Sequence, residues 1–175
     1  MPNVLNCARV GISYRDVNSF LDRLEALDTE MHALVVMRGG ETALEGYWAP
    51  YGPGMIHGCQ SLTKTVTGIA LGAAMQENLL GLEERLVDIF PEHAHLTRGK
   101  PFWDELKVRH IATMSAGMDT QPPVVSPDWV EGFFKTDIQH RPGTAYMYNS
   151  IACSMVGMCI QKRSGQGLKD FLAER

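Results

Sequence analysis

The chain has 175 residues, 45% of them hydrophobic and 21% charged, with a net charge of −4. This composition suits a folded globular protein rather than a disordered chain, and the length suits one domain or part of a larger one. The mild acidity and the lack of any basic run exclude a nucleic-acid footprint, and no apolar stretch reaches the ~18 residues of a membrane span.

Residues 1–7 carry no signal-peptide core, which predicts a cytoplasmic protein where Met1 is the native start. The four cysteines, Cys7, Cys59, Cys153 and Cys159, form no C-x-x-C pair, so reduced thiols are expected. The first periodic stretch is a helix with Asp16 as cap and Val17, Phe20, Leu21, Leu24 and Leu27 on its apolar face. His32 to Arg38 reads as a strand, Gly39-Gly40 as a two-residue turn, and Glu41 to Trp48 as the returning strand. Ala49 to Gly58 holds two prolines and three glycines and is a loop.

Thr65 to Leu80 is nearly free of charge until Glu77, the pattern of a helix buried on most sides, with Gly81 as its C-terminal cap. A short surface helix around Leu86 and Val87 is closed by Phe90-Pro91. His93 to Lys100 reads as a polar loop. Its H-x-H lacks a third ligand, so no metal is expected there. Leu106 to Met114 is another short helix. Ser126-Pro127 starts the next, as cap and first residue, with Trp129, Val130, Phe133 and Phe134 on its apolar face. Tyr146 to Ser150 leads into a helix bearing Ile151, Met155, Met158 and Cys159 and stopped by Gly165. Leu168, Phe171 and Leu172 begin a last helix. Two strands are too few for an independently stable sheet, and a short terminal helix without a cap is marginal. The chain is therefore expected to be the N-terminal part of one larger domain.

Ser61-Leu62-Thr63-Lys64 is the stretch with chemistry. A hydroxyl and an amine three residues apart share one helix face. The hydroxyl lies toward the N-terminal end, where free N–H groups favour a developing anion. Such a pair can make serine an acyl-accepting nucleophile, although a serine there can also simply cap a helix.

Four separated stretches resemble one family. They are Gly58-Cys59-Gln60-Ser61-Leu62-Thr63-Lys64-Thr65, the segment from Leu80 to Pro91, Leu106 to Gly117 (LKVRHIATMSAG), and Pro142-Gly143-Thr144 followed by Tyr148-Asn149-Ser150. In this order and spacing they resemble the penicillin-recognising serine hydrolases, the branch of class C β-lactamases, D-alanyl-D-alanine peptidases and esterases, from about residue 30 to the end. The resemblance implies an α+β fold, an antiparallel sheet beside a helical region. It implies an acyl-enzyme mechanism on a small ester or amide, without a cofactor. Ser61 would be the nucleophile, Lys64 and Tyr148 a coupled acid/base pair with the proton's owner left open, and Asn149 and Ser150 substrate contacts. Ser150 stands where the family usually has asparagine. The family's third motif, on a strand that also gives the second oxyanion donor, is expected beyond Arg175, so this stretch alone is expected to acylate poorly. The alternative is a non-catalytic relative that uses the pocket for binding or scaffolding. Neither substrate nor oligomeric state is legible.

Overall fold

The computed structural model describes residues 6–122, 128–173 and 175. Among these the architecture is α+β, with a two-stranded antiparallel sheet and seven α-helices, as the resemblance implied. Two compact units divide the chain, one up to Gly58 and one from Cys59.

In the first unit, helix α1 (Tyr14–Ala26) is capped by Ser13, whose Oγ accepts the Arg15 N–H at 3.1 Å. Asp16, the cap expected from sequence, lies in the first turn instead, where its carboxylate meets the positive end of the helix dipole. Both residue types cap well, and Ser13 is placed one residue ahead of the first helical one. Strands β1 (Ala33–Arg38) and β2 (Glu41–Tyr47) pair across Gly39 and Gly40, whose φ of 60° and 81° is what a two-residue hairpin turn requires. Val36 pairs with Leu44 but Met37 with Thr42, so Ala43 is the extra residue of a β-bulge. The bulge turns the Ala43 carbonyl away from the ladder, and it accepts the Asn6 N–H at 3.0 Å and the Cys7 thiol at 3.3 Å. Cys7, Val17, Ala43 and Leu44 form the small core of this unit.

In the second unit a 3-10 turn, Gln60–Leu62, runs directly into α2 (Thr63–Gln76). Thr67, Ala70, Leu71 and Ala74 are the buried residues of α2, while Val66, Ile69 and Met75 are exposed. Burial therefore holds for one face, not for most sides as its composition suggested. The helix also stops before Gly81. Asn78 takes the left-handed conformation at φ 57°, and the Asn78 and Leu79 N–H groups donate to the Met75 and Ala74 carbonyls. Asparagine is the residue after glycine that best tolerates this cap.

Helices α3 (Leu86–Ile89) and α4 (Val108–Ala112) are tied together at their starts. The Leu86 N–H donates to the Leu106 carbonyl and the Val108 N–H to the Glu84 carbonyl, both at 3.0 Å. Helix α5 (Trp129–Phe134) is capped by Asp128, whose carboxylate accepts the Glu131 N–H at 3.0 Å; Ser126 and Pro127, the expected cap and first residue, lie outside the described residues. Its Phe133 and Phe134 surround the buried Trp103, with ring centroids 5.7 and 4.9 Å away, and the Trp103 N–H is satisfied by the Thr136 carbonyl at 3.2 Å. Helix α6 (Ser150–Ser164) runs through the middle of the unit, against α2, α4, α5 and α7 (Leu168–Ala173). Gly165, at φ 74°, ends it as the sequence predicts. Burial of about 25 cal/mol per Å² of apolar surface makes this shared core of Leu86, Trp103, Ile111, Phe133, Phe134, Met155, Ile160 and Phe171 the main stabilising feature.

One irregular pairing matters for the site. The Gly117 carbonyl accepts the Gln139 and His140 N–H groups, each at 2.9 Å. The Gly143 N–H donates to Ser115 at 2.8 Å and the Met147 N–H to Met114 at 3.1 Å. Residues 114–117 thus hold residues 139–147 against them, immediately before Tyr148.

Candidate active site

The amine and hydroxyl of the S-x-x-K stretch meet as their spacing predicts. The Lys64 Nζ donates to Ser61 Oγ at 3.2 Å. Gln60, just before the serine, has φ 46°, a left-handed conformation that a non-glycine residue adopts at a cost of about 1–2 kcal/mol. Such a residue directly beside the candidate nucleophile is where stored backbone strain tends to collect. Ser61 lies in the first turn of the combined helix, in the region where backbone N–H groups lack helical acceptors.

Tyr148 completes the cluster from 87 residues away, its hydroxyl 2.5 Å from Ser61 Oγ. The Lys64 ammonium also stands 5.0 Å from the centre of the Tyr148 ring. Hydrogen bonding from Lys64 holds the Tyr148 phenol below its ordinary value of 10.0, with further help from Ser61 and Ser150 and against partial desolvation. A serine oxygen therefore sits between an amine and an acidified phenol, all on exposed or half-buried surface. That geometry can take a proton from Ser61 and pass it on.

The other two candidates differ in placement. Ser150 is the first residue of α6, half-buried, and close enough to help hold the Tyr148 phenol below its ordinary value. Asn149 is only 2% exposed. Its Oδ1 accepts the Ala152 N–H at 2.9 Å as the N-cap of α6, and its Nδ2 points to Met118 Sδ at 3.8 Å. The structure puts the Asn149 side chain beneath the site, fixing the helix that Tyr148 precedes, rather than on the surface a substrate would meet.

Gln121, which carries no sequence signal, is a further residue beside the site. Its Oε1 accepts the Ser150 N–H at 3.0 Å, which brings an exposed amide to the start of α6. No periodicity or spacing marks it, because the contact spans 29 residues. His110 is buried beneath Pro142-Gly143: its Nδ1 accepts the Lys107 N–H at 3.1 Å, and a Cβ on Gly143 would stand 3.4 Å from its Nε2. Burial, then Arg109 and Lys107, lower its pKa, consistent with a neutral cap. Burial raises the thiol pKa of Cys159 to about 12 and also raises that of Cys153, which makes both core residues. Among the described residues no group of three His, Cys, Asp or Glu side chains could hold a metal, and no helix is long and apolar enough to cross a membrane.

Residues 22–175 match the family model described as Beta-lactamase. The chain belongs to the β-lactamase family. A β-lactamase from Yersinia enterocolitica is 28% identical over 121 residues, covering 65% of this chain and 29% of that protein. Two solved structures share the fold. A proposed β-lactamase from Bacteroides dorei superposes with a TM-score of 0.75 at 16% identity, covering 93% of this chain and 50% of its own. A proposed 6-aminohexanoate-dimer hydrolase from Bacillus anthracis gives 0.71 at 18% identity, covering 88% and 45%. The chain thus spans half or less of the length of these relatives.

Proposed function

We propose that the protein is a serine hydrolase that cleaves a small carboxylic ester or amide through an acyl-enzyme on Ser61. The observation that carries this reading is the Ser61 oxygen held between Lys64 Nζ at 3.2 Å and Tyr148 OH at 2.5 Å. In acylation Ser61 Oγ attacks the carbonyl carbon while its proton passes to the Lys64–Tyr148 pair. The pair then returns that proton to the leaving oxygen or nitrogen as the C–O or C–N bond breaks. In deacylation water gives a proton to the pair and its oxygen to the acyl carbon; the Ser61 Oγ–C bond then breaks as the pair returns the proton to Ser61 Oγ, and the carboxylic acid leaves. Tyr148 suits the relay because Lys64 favours its ionised form. The Ser61 N–H, in the first turn, is the chain's candidate donor to the oxyanion. The name of the Yersinia relative, a β-lactamase, denotes cleavage of a cyclic amide, which supports the bond class.

A fluorophosphonate probe on the full-length protein tests this. The expected result is one covalent adduct, mapped to Ser61 and lost in Ser61→Ala. No mass increase on the wild type would favour a non-catalytic relative that binds through the same surface.

A further inference from the structure

The segment that delivers Tyr148 also presents a second, unused tyrosine. Exposure alternates along it: Tyr146 is 71% exposed and Tyr148 45%, whereas Met147 packs against the core and Asn149 is 2% exposed. Tyr146 and Tyr148 therefore leave the backbone on the same side, roughly 7 Å apart along extended chain. Tyr146 is propped rather than loose. Its hydroxyl reaches the Met114 thioether at 3.9 Å, and the Met147 N–H fixes Met114 through its carbonyl at 3.1 Å. Met114 itself is held at φ 54°. A thioether is a weak acceptor, so a ligand displaces little by covering this pair. Residues 142–150 contain no charged side chain, so what lies along them should be uncharged.

We infer that Tyr146 and Met114 form an apolar shelf beside Tyr148 that receives an aryl or extended alkyl group on the leaving side of the scissile bond. The leaving side follows from the relay, because Tyr148 must face the atom to which it returns the proton, and the shelf continues outward from Tyr148. The inference rests on the hydrolase reading of Ser61. A tyrosine ring backed by a polarisable sulfur is suited to stacking on such a group.

The test uses the full-length protein and two ester series. In one, acetate esters carry leaving groups from ethyl to phenyl to naphthyl. In the other, p-nitrophenyl esters carry acyl groups from acetyl to hexanoyl. Tyr146→Ala should lower kcat/KM for naphthyl acetate about tenfold relative to its effect on ethyl acetate, chiefly through KM. Its effect should stay constant along the acyl series, and Tyr146→Phe should restore most of the loss. A uniform loss across both series, no loss, or a loss that grows with acyl length overturns the shelf while leaving the Ser61 reading intact. Absence of Ser61-dependent turnover of every ester by the wild type overturns both.

Discussion

Replacing Asn149 by alanine should separate support from chemistry at this site. The substitution removes the acceptor of the Ala152 N–H, a bond of 2.9 Å to a residue with no exposed surface. Loss of an N-cap side chain costs about 1 kcal/mol, and up to about 2 where no substitute acceptor exists. A buried N–H that water cannot reach belongs at the upper end of that range. Truncating a side chain that is 2% exposed also empties space against Met118, adding about 1 kcal/mol. The total for Asn149→Ala is about 2–3 kcal/mol. Asn149→Ser keeps a cap acceptor and should lose about 1 kcal/mol or less. Urea unfolding followed by circular dichroism, compared at constant m, reads both values. Ester turnover in the same variants should fall mainly in kcat, because the loosened helix start frees Tyr148 rather than a substrate contact. Equal stability of the two variants, or a rise confined to KM with wild-type stability, would refute the assignment of Asn149 to positioning.

The phenol–amine coupling predicts a titration. Lys64→Met removes the leading cause of the lowered Tyr148 pKa, so ultraviolet difference titration should show one tyrosine moving up toward 10.0. If Tyr148 acts as phenolate, activity rises as pH passes upward through its pKa, so any residual activity in the variant should need a higher pH. An unmoved tyrosine titration would contradict the Lys64–Tyr148 contact. Gly117→Ala should destabilise sharply, because at φ 82° its Cβ would lie 1.9 Å from the His140 carbonyl oxygen, which is backbone and cannot swing away. Strain of about 1–2 kcal/mol, with weakened bonds from Gln139 and His140, gives about 3 kcal/mol. Gly165→Ala, at φ 74° with nothing within 4 Å, should cost only about 1 kcal/mol, and thermal unfolding distinguishes the two.

Local rules made the hairpin and most helices legible. Gly39-Gly40 forces the turn, and Gly165 ends α6, because each sits where only a positive φ fits. The pairing of Ser61 with Lys64 was legible for the same reason, since it is fixed within one helical turn. Helix ends chosen among near-equal residues were not. Ser13 and Asp16 both cap well, and Asn78 took the position expected of Gly81, since Leu79 and Leu80 continue the apolar pattern past the last helical hydrogen bond. The apolar composition of α2 overstated its burial, because small residues such as Ala70 and Ala74 mark the packed face while Val66 and Ile69 face outward. Tyr148 could be attached to Ser61 only through family resemblance. No periodicity connects residues 87 apart, and none distinguishes a buried Asn149 from an exposed one.

The backbone bonds from residues 114–117 to residues 139–147 close a loop of chain whose described residues include Val130, Phe133 and Phe134 of the core. The placement of Tyr148 is held by the neck of this loop and, from within the loop, by Gln121 and Met118, which meet Ser150 and Asn149 just after it. A substitution at Gln121 therefore acts on Tyr148 through the start of α6.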